Sequence, residues 1–321
     1  MLKNNVDLVI IGGGIIGLAT ANDILKSIKN INIVLLEKSS RVASQQSGHN
    51  SGVIHSGIYY KPGSFKAQFC VEGRKSMTEF CENNNIPVWT CGKLIVATKD
   101  SDLVKIDNLY ERGTANNVDG LKVVSKDEIE DIEPHVSALK ALHAPKTGIV
   151  DYIKVTEAYA DQFKYNGGEI YLDTEVIGSE NIKGKLIVKT TKGDIEAKNV
   201  INCAGLHSDR IAKIFGLKTD LKIIPFRGEY YTLKKSKEHL VKGLIYPVPN
   251  PELPFLGVHF TQTMKGFVEA GPNAVLATKR EGYRKRDFSI RDSLDTFTYK
   301  GFWNLLKNDW KTGIWEINRS L

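Results

Sequence analysis

The stretch Val6–Gly17 constrains the fold of this chain more than any other part of its sequence. It begins with a short run of apolar, mostly branched residues, which is typical of a buried parallel strand. The residues Gly12, Gly14 and Gly17 follow at the spacing G-x-G-x-x-G, and Ile15–Lys29 continues with the period of a helix. A strand, a glycine turn and a helix in this order predict a dinucleotide-binding unit.

Each part of this pattern has a physical role in binding a dinucleotide. Gly12 permits a tight turn, Gly14 lets the backbone approach a pyrophosphate, and Gly17 lets the helix pack against the strand. The helix N-terminus offers unpaired N–H groups and the positive end of its dipole to the phosphates. A second apolar run, Ile31–Leu36, leads to Glu37, which we expect to accept hydrogen bonds from a ribose. The motif alone does not separate NAD from FAD.

Length and composition bound the remaining possibilities. At 321 residues the chain is too long for one compact core, so we expect two domains or one domain with a large insertion. No stretch approaches the ~20 consecutive apolar residues of a membrane-spanning helix. The four cysteines lack the spacing of a metal site, so we predict no metal. Reduced thiols are typical of a cytoplasmic location, which we expect here.

The formal net charge of +7 invites comparison with proteins that bind nucleic acids or membranes. The lysines are spread thinly, and the densest basic segment, Lys279–Arg286, is interrupted by Glu281 and Gly282. This pattern does not require a nucleic-acid partner, and we predict none. It is compatible with an anionic substrate and with peripheral contact at the inner face of a membrane.

A long polar loop follows Glu37 and extends from Lys38 to Gly57. A loop of this length inside a compact domain usually has a functional reason. Its small residues permit close approach to a flat ring, and His49 and His55 are residues that titrate near neutral pH. We therefore predict a cofactor contact here, against the simpler alternative of two solvated histidines.

The order of the remaining elements predicts two discontinuous domains. After residue 145 a strand, a helix and further short strands, the last of them Ile195–Ala197, suggest a return to the parallel sheet. The next strand, Val200–Gly205, ends in Ala-Gly and leaves room for a cofactor. From Lys218 onward, short strands broken by prolines and glycines, one of them at 254–261, predict an antiparallel sheet. The prediction is an α/β fold with a Rossmann-like cofactor domain at 1–90 and 145–217, and an α+β substrate domain at 91–144 and 218–321.

The motifs of this chain, taken together, resemble one family of flavoproteins. They are GGGIIG, SGHNSGVIHSGIYY, KLIVAT, GIVDY, CAGLHSD, PFRGEYY, YPVPNPELPFLGVHFT and GPNAVLATKREGY. The chain resembles the FAD-dependent oxidoreductases related to D-amino-acid oxidase and glycerol-3-phosphate dehydrogenase, and within them the L-2-hydroxyglutarate dehydrogenases and oxidases. The resemblance implies a discontinuous Rossmann-like FAD domain and a substrate domain with a mainly antiparallel sheet.

The resemblance also implies which residues bind FAD. It places the glycine motif at the pyrophosphate and the acid after the second strand at the ribose. It places the following loop beside the isoalloxazine ring, Val176 near the adenine, and Ala204 and Gly205 along the cofactor. The predicted cofactor contacts are Gly12, Gly14, Gly17, Glu37, Lys38, Ser47, His49, Asn50, Ser51, Val176, Ala204 and Gly205.

The implied reaction is the oxidation of L-2-hydroxyglutarate, an (S)-2-hydroxy acid, to 2-oxoglutarate. Hydride passes from C2 to flavin N5, and the electrons pass on to a quinone or to oxygen. We expect a histidine that titrates near neutrality to take the hydroxyl proton, and cations to bind the dicarboxylate. The predicted catalytic residues are His55, His259 and Arg227, and the predicted substrate contacts are Tyr60, Arg227, Tyr246, His259 and Arg280.

The chain departs from the family pattern at its C-terminal end. Family members continue with a glycine-rich turn, an arginine near the flavin, and a final strand and helix, whereas this sequence ends at Leu321. We therefore expect weaker FAD retention, and a truncated, non-catalytic flavin fold is one alternative function. Another is a related flavoenzyme that acts on glycerol 3-phosphate or an amino acid. An NAD(P)-dependent dehydrogenase is favoured only by the glycine motif.

Overall fold

The computed structural model describes residues 2–249 and 257–320. Within these residues the strands are β1 Asn5–Ile11, β2 Ile33–Leu36, β3 Val53–Ile54, β4 Val88–Trp89, β5 Lys93–Ala97, β6 Lys122–Val124, β7 Lys140–Ala144, β8 Gly148–Val150, β9 Glu169–Tyr171, β10 Val176–Ile182, β11 Lys185–Thr190, β12 Gly193–Asn202, β13 Phe226–Thr232, β14 Leu244–Pro247, β15 His259–Gln262 and β16 Val268–Leu276. The helices are α1 Ile15–Ser27, α2 Phe65–Asn83, α3 Asp100–Ala115, α4 Lys126–Ile132, α5 Tyr152–Tyr165, α6 Ser208–Ile214, α7 Ile290–Phe297 and α8 Lys300–Ser320. None of these helices is both long and apolar enough to cross a lipid bilayer.

The chain divides into two units, each assembled from three separate segments. The first unit consists of Met1–Asn50, Tyr152–Pro225 and Ala277–Trp303, and the second of Ser51–Asp151, Phe226–Leu276 and Asn304–Leu321. These bounds differ from the predicted domains mainly in two places. Residues 51–90 belong to the second unit and residues 277–303 to the first.

Long-range contacts explain both differences. The strand β3 lies within residues 51–90 and pairs with β8, so it closes a small sheet of the second unit. In the first unit, the backbone N–H of Ala277 donates to the carbonyl of Pro225 at 3.0 Å. Arg280 also forms an ion pair with Asp209. Neither pairing has a local sequence signature, because the partners are far apart in the chain.

The first unit is built on a six-stranded sheet in the order β10-β11-β12-β1-β2-β9. The strands β12, β1, β2 and β9 run parallel, and β10 and β11 form an antiparallel extension beside β12. Leu18 of α1 and Phe163 of α5 pack on one face of the sheet, and Ile211 of α6 packs on the other. Both faces of β1 are therefore buried, which explains its continuous apolar sequence. The predicted Rossmann-like fold is confirmed.

The strand β12 joins two stretches that the sequence pattern predicts as separate strands, Ile195–Ala197 and Val200–Gly205. Residues 193–197 pair antiparallel with β11, and residues from 196 to 202 pair in parallel with β1. One strand thus belongs to both the hairpin and the parallel sheet. Exposed Lys198 and Asn199 interrupt the apolar pattern without interrupting the ladder, since Asn199 still pairs with Leu8.

The second unit contains a seven-stranded sheet in the order β13-β16-β15-β14-β5-β7-β6 and a three-stranded sheet in the order β3-β8-β4. Neighbouring strands of the larger sheet are antiparallel except β14 and β5, so the predicted antiparallel character is confirmed. Ile106 of α3 packs on one face and Ile129 of α4 on the other. The strand predicted at 254–261 is described only from residue 257, and β15 covers its end.

Glu133 ties the loop after α4 to the start of β14. Its side chain is buried, with only 2% of the residue exposed. Oε1 accepts a hydrogen bond from the backbone N–H of Gly243 at 2.6 Å, and Oε2 accepts one from Lys242 at 3.0 Å. A charged acceptor for two interior backbone donors stabilises the junction between these segments.

We expect Glu133→Ala to lower the free energy of unfolding by about 2–4 kcal/mol, because two interior N–H groups lose a charged acceptor. Urea unfolding followed by circular dichroism measures the change. The matched control is Glu130→Ala, on an exposed position of the same helix α4, which should change the value by less than about 0.5 kcal/mol. Equal unfolding curves for the two variants would contradict the anchoring role of Glu133.

Candidate functional site

The turn after β1 brings backbone against backbone at the end of the parallel sheet. Gly12 has a φ angle of +115°, in the left-handed region that favours glycine. A Cβ atom on Gly12 would overlap the carbonyl oxygen of Cys203, and one on Gly17 would overlap the carbonyl oxygen of Gly12. The predicted role of Gly17 in helix packing agrees with this contact. The first glycine permits the turn, and the last permits the approach of α1.

The helix α1 begins directly after this glycine turn. The helix begins at Ile15, with Gly14 as its N-cap in extended conformation. Gly14 has no side chain to cap the helix, and the Oγ of Ser47 instead accepts a hydrogen bond from the backbone N–H of Ile15 at 2.9 Å. Ser47 therefore holds the predicted cofactor loop against the start of the helix.

Glu37 is held in place by backbone donors on both sides. Its Oε2 accepts from the N–H of Gly13 at 2.7 Å, and its Oε1 accepts from the N–H of Ser39 at 2.8 Å. Only 8% of the residue is exposed. Each carboxylate oxygen has a further lone pair, so the carboxylate is oriented and still able to accept hydrogen bonds from ribose hydroxyls.

These groups surround a cavity of about 640 Å³ that lies entirely within the first unit. This volume is in the range of ligand-binding cavities. The predicted cofactor residues that line it are Gly12, Gly14, Glu37, Lys38, Ser47, Asn50, Val176, Ala204 and Gly205. The apolar residues that line it include Ile11, Leu36, Ile177 and Ile214. The structure thus brings together residues that are far apart in the sequence, at the carboxyl ends of the parallel strands.

Three predicted cofactor residues do not line this cavity. Gly17 acts in packing, as described above. His49 stacks on Tyr283 with ring centroids 3.7 Å apart, and its Nδ1 lies 3.0 Å from the carbonyl oxygen of Gln45. Ser51 belongs to the second unit. For His49 and Ser51 a cofactor contact stays a prediction.

Sequence reasoning missed a charged cluster in the wall of the cavity. Glu281 accepts hydrogen bonds from Lys38 and lies 2.9 Å from Nε2 of His207. The hydrogen bond with His207, together with that from Lys38, holds the pKa of Glu281 at about 2, so it is ionised. Arg291 also lines the cavity. His207 and Glu281 fall in the motifs CAGLHSD and KREGY, but only the fold shows that they meet.

Arg280 is buried and paired with a carboxylate of the first unit. It is 4% exposed, and its guanidinium forms two parallel hydrogen bonds to Asp209, of which Nη2 to Oδ2 measures 2.7 Å. Nη1 also donates to the carbonyl of Leu206 at 2.6 Å. Burial opposes ionisation of Asp209, but the hydrogen bonds from Arg280 and from the N–H of Ile223 outweigh it and hold its pKa at about 2. Arg280 therefore stabilises the first unit, and its substrate contact stays a prediction.

In the second unit, His259 and Tyr246 form a stacked pair. Their ring centroids are 3.9 Å apart with an interplanar angle of 15°. The stack follows from the register of β14 and β15, in which Ile245 pairs with Phe260. Nδ1 of His259 lies 3.0 Å from the carbonyl oxygen of Gly257. This contact favours the tautomer with the proton on Nδ1, which leaves Nε2 as an acceptor.

Burial keeps both candidate histidines uncharged at neutral pH. It lowers the pKa of His55 to about 3, and the charge of Lys93 adds to the effect. Burial also lowers the pKa of His259, against the hydrogen bond to Gly257, which raises it. Burial thus moves the pKa of both residues below the ordinary histidine value, because the charged imidazolium loses solvation in the interior. Both imidazoles are present in the form that accepts a proton.

Arg227 has a carboxylate partner within its own strand. It lies two residues before Glu229 on β13, so the two side chains share a face of the sheet. Nη2 of Arg227 donates to Oε1 of Glu229 at 2.6 Å, and Nε donates to the same atom at 3.1 Å. The catalytic and substrate-binding roles of Arg227 stay predictions, and Glu229 competes with a substrate carboxylate for its guanidinium.

Asn116 holds the segment that follows His55. Its Nδ2 donates to the carbonyl of Gly57 at 2.9 Å and to that of Tyr60 at 2.9 Å. Burial raises the pKa of Tyr60, so its phenol is neutral. A substrate contact of Tyr60 stays a prediction.

The cavity of the first unit fits FAD on its own geometry. Gly12 leaves no room for a side chain, and Gly14 at the start of α1 lines the cavity, as the approach of a pyrophosphate requires. Glu37 offers oriented lone pairs to a ribose, and Val176 and Ile177 provide an apolar surface for a flat ring. The residues present therefore suit a dinucleotide with an aromatic ring system.

Comparison with known proteins agrees with this geometry. Residues 7–302 match the family model described as FAD dependent oxidoreductase. The L-2-hydroxyglutarate dehydrogenase of Indibacter alkaliphilus is 49% identical over 314 residues, which cover 98% of this chain and 79% of that protein. The protein of the same name from Escherichia coli strain K12 is 45% identical, over 98% of this chain and 75% of that protein. The mitochondrial L-2-hydroxyglutarate dehydrogenase of Homo sapiens is 44% identical, over 99% of this chain and 71% of that protein.

Solved structures show the same fold. L-alpha-glycerophosphate oxidase from Mycoplasma pneumoniae, with FAD bound, matches at a TM-score of 0.76 and 24% identity, over 94% of this chain and 78% of that one. Glycine oxidase from Geobacillus kaustophilus matches at a TM-score of 0.72 and 19% identity, over 92% and 78%. With the family match over most of the chain, these findings confirm FAD as the cofactor and an enzyme as the class of protein. The chain belongs to the family of FAD-dependent oxidoreductases.

Proposed function

We propose that this enzyme oxidises L-2-hydroxyglutarate to 2-oxoglutarate. The observation that carries the proposal is the identity of 44–49% to proteins named L-2-hydroxyglutarate dehydrogenase, over 71–79% of their length. Solved structures with other substrates in their names are at most 24% identical among those compared above, and they support the fold alone. A bound FAD would supply the acceptor for the hydride that leaves C2 of the substrate.

The first unit would hold the cofactor through the groups that line its cavity. The backbone N–H of Gly14, the N-cap of α1, would bind the pyrophosphate, because the N–H groups of Gly12, Gly13 and Ile15 already donate to Leu36, Glu37 and Ser47. Glu37 would accept hydrogen bonds from the ribose, and Val176 would contact the adenine. Ala204 and Gly205 would lie along the cofactor, as the small residues at the end of β12 allow.

The second unit would supply the base that takes the proton of the C2 hydroxyl. Its candidates are His259 and His55, which burial keeps neutral. His259 has the clearer geometry, because Gly257 engages its Nδ1 and leaves Nε2 to accept a proton. When Nε2 takes the hydroxyl proton, the carbonyl group of the product forms at C2. The orientation of His259 is maintained by its stack on Tyr246.

The electron acceptor and the location belong to the same proposal. The family reaction needs an acceptor for the two electrons taken from the substrate, and we propose a quinone or oxygen. A cytoplasmic location, with contact at the inner face of a membrane, stays a prediction. The net charge of +7 supports contact with an anionic surface.

Anaerobic flavin reduction tests the proposed function directly. Purified protein reconstituted with FAD should lose its absorbance near 450 nm on addition of L-2-hydroxyglutarate and keep it on addition of the D-enantiomer. Glycerol 3-phosphate and glycine serve as comparison substrates. Bleaching by one of these two, and not by L-2-hydroxyglutarate, would assign another flavin reaction. Protein that cannot take up FAD would instead favour a non-catalytic fold.

Gly14→Ala should weaken FAD binding by about tenfold, because a methyl group enters the cavity at the proposed pyrophosphate position. Gly14 has ordinary extended backbone angles, and the nearest atom to its new Cβ would be Oγ of Ser47 at 3.1 Å. The fold should therefore persist, as circular dichroism can verify. Gly178→Ala, on β10 of the same unit, is the matched control. Unchanged FAD affinity in Gly14→Ala would argue against the proposed position of the pyrophosphate.

Removal of the base should lower the rate constant of flavin reduction by about 10²–10⁴-fold without loss of FAD. His259→Gln and His55→Gln identify which histidine acts, and His239→Gln, at an exposed position of the second unit, is the control. Because burial lowers the pKa of both histidines, the decline of the wild-type rate at acid pH should lie below the ordinary pKa of histidine. Stopped-flow reduction between pH 5 and 9 measures both effects. Full activity of both variants would exclude histidine as the base.

A further inference from the structure

Lys93, the first residue of β5, has an ammonium group in the interior of the second unit. Only 2% of the residue is exposed. Its Nζ lies 4.7 Å from the ring centroid of Tyr59 and 5.1 Å from that of Tyr246. Within residues 2–249 and 257–320, none of the ion pairs includes Lys93. Aromatic faces thus contact the cation, but no described carboxylate balances it.

The sheet places Lys93 beside the candidate bases. Lys93 pairs in register with Leu244, and Leu244 pairs with Thr261 on the next strand. Residues in register share a face, and Tyr246 and His259 follow at two-residue intervals on the same face. Tyr246 contacts both the ammonium of Lys93 and the ring of His259. The cation and the proposed base therefore belong to one cluster.

An unbalanced buried charge is unfavourable, and cation–π contacts recover only part of the lost solvation. Burial accordingly lowers the pKa of Lys93 to about 8, which leaves it mostly charged at neutral pH. The hydroxyl of Tyr59 is also buried and has no hydrogen-bond partner within the described part of the chain. Both groups are donors, and an anion can satisfy them together.

The two arginines that the sequence predicts to bind the substrate differ from Lys93, because each has a carboxylate partner. Arg280 is paired with Asp209, and Arg227 with Glu229. A dicarboxylate that enters the second unit would have to compete with a protein carboxylate at either arginine. At Lys93 it would meet a donor without such a competitor, in surroundings where opposite charges attract more strongly than in water.

We infer that Lys93 binds a carboxylate of the substrate, and that it selects 2-hydroxy acids by their negative charge. The inference rests on the proposed function and adds to it the residue that recognises the anion. The contact is a hydrogen bond from Nζ to a carboxylate oxygen, with the Tyr59 hydroxyl as a second donor.

The test measures binding of 2-oxoglutarate to the oxidised, FAD-loaded protein by calorimetry, without turnover. Lys93→Met should weaken binding by roughly 10- to 100-fold, because a charged donor is lost. Lys93→Arg should restore part of it. Lys99→Met, at an exposed position after the same strand, removes an equal charge and should leave the Kd unchanged. In turnover, Lys93→Met should raise KM more than it lowers kcat. Thermal unfolding checks that each variant remains folded.

The pH dependence separates binding by Lys93 from a structural role. The titratable groups around Lys93 are His55, His259, Tyr59, Tyr246 and Cys70. Burial lowers the pKa of both histidines and raises those of both phenols and the thiol, so between about pH 7 and 9 Lys93 dominates the change in charge. Binding of 2-oxoglutarate should weaken as the pH rises above about 8 in the wild type. In Lys93→Met this dependence should be absent, and in Lys93→Arg it should move to higher pH.

The outcomes distinguish the inference from the function on which it rests. If L-2-hydroxyglutarate does not reduce the wild-type flavin, the proposed function fails. If the wild type is reduced but Lys93→Met binds 2-oxoglutarate as tightly as Lys99→Met, with the same pH dependence, the inference fails alone. If Lys93→Met unfolds, the comparison of Lys93→Arg with the wild type decides: the same upper pH limit for binding in both would overturn the inference.

Discussion

The structure of the first unit depends on a contact between two backbones. The turn at Gly12 packs against the carbonyl of Cys203, and Gly17 packs against the carbonyl of Gly12, so that β1, α1 and the end of β12 meet without intervening side chains. This approach sets the position of the α1 N-terminus at the cavity. Glu37 then holds the turn by accepting the N–H of Gly13, and Ser47 holds the following loop by accepting the N–H of Ile15. The turn beside the cavity is therefore fixed by backbone donors and side-chain acceptors, and its shape requires glycine.

Buried charged side chains have different kinds of partner in the two units. In the first unit Arg280 and Arg210 find carboxylates, the former in Asp209 and the latter in Asp292 and Asp295. These pairs attach the segment from residue 277 to the elements that precede it in the chain. In the second unit Lys93 has aromatic neighbours and no described acidic partner. Paired charges maintain a fold, whereas an unpaired one retains the capacity to bind an anion.

The sequence predicted the local elements well because their signals are local. The glycine motif and the apolar strands beside it act within a few residues, and the structure has them where the sequence predicts them. The divided strand at β12 was misjudged because exposed Lys198 and Asn199 imitate a turn. The domain bounds near residues 51 and 277 follow from pairing with distant segments, which no local pattern records.

The side chains around the site show the same division between what the local sequence predicts and what distant contacts decide. From the sequence alone came the fold class and the dinucleotide-binding motif, because spacing and periodicity specify these directly. FAD and the set of histidines and arginines suited to a hydroxy acid came from the resemblance to a family. Only the tertiary structure decided that Arg280 pairs with Asp209, that His49 stacks on Tyr283, and that burial keeps His55 and His259 neutral. It also decided that Lys93, at the start of an ordinary apolar strand, is buried. The reason is physical: the charge, pairing and solvation of a side chain depend on neighbours that are close in space and far apart in the sequence.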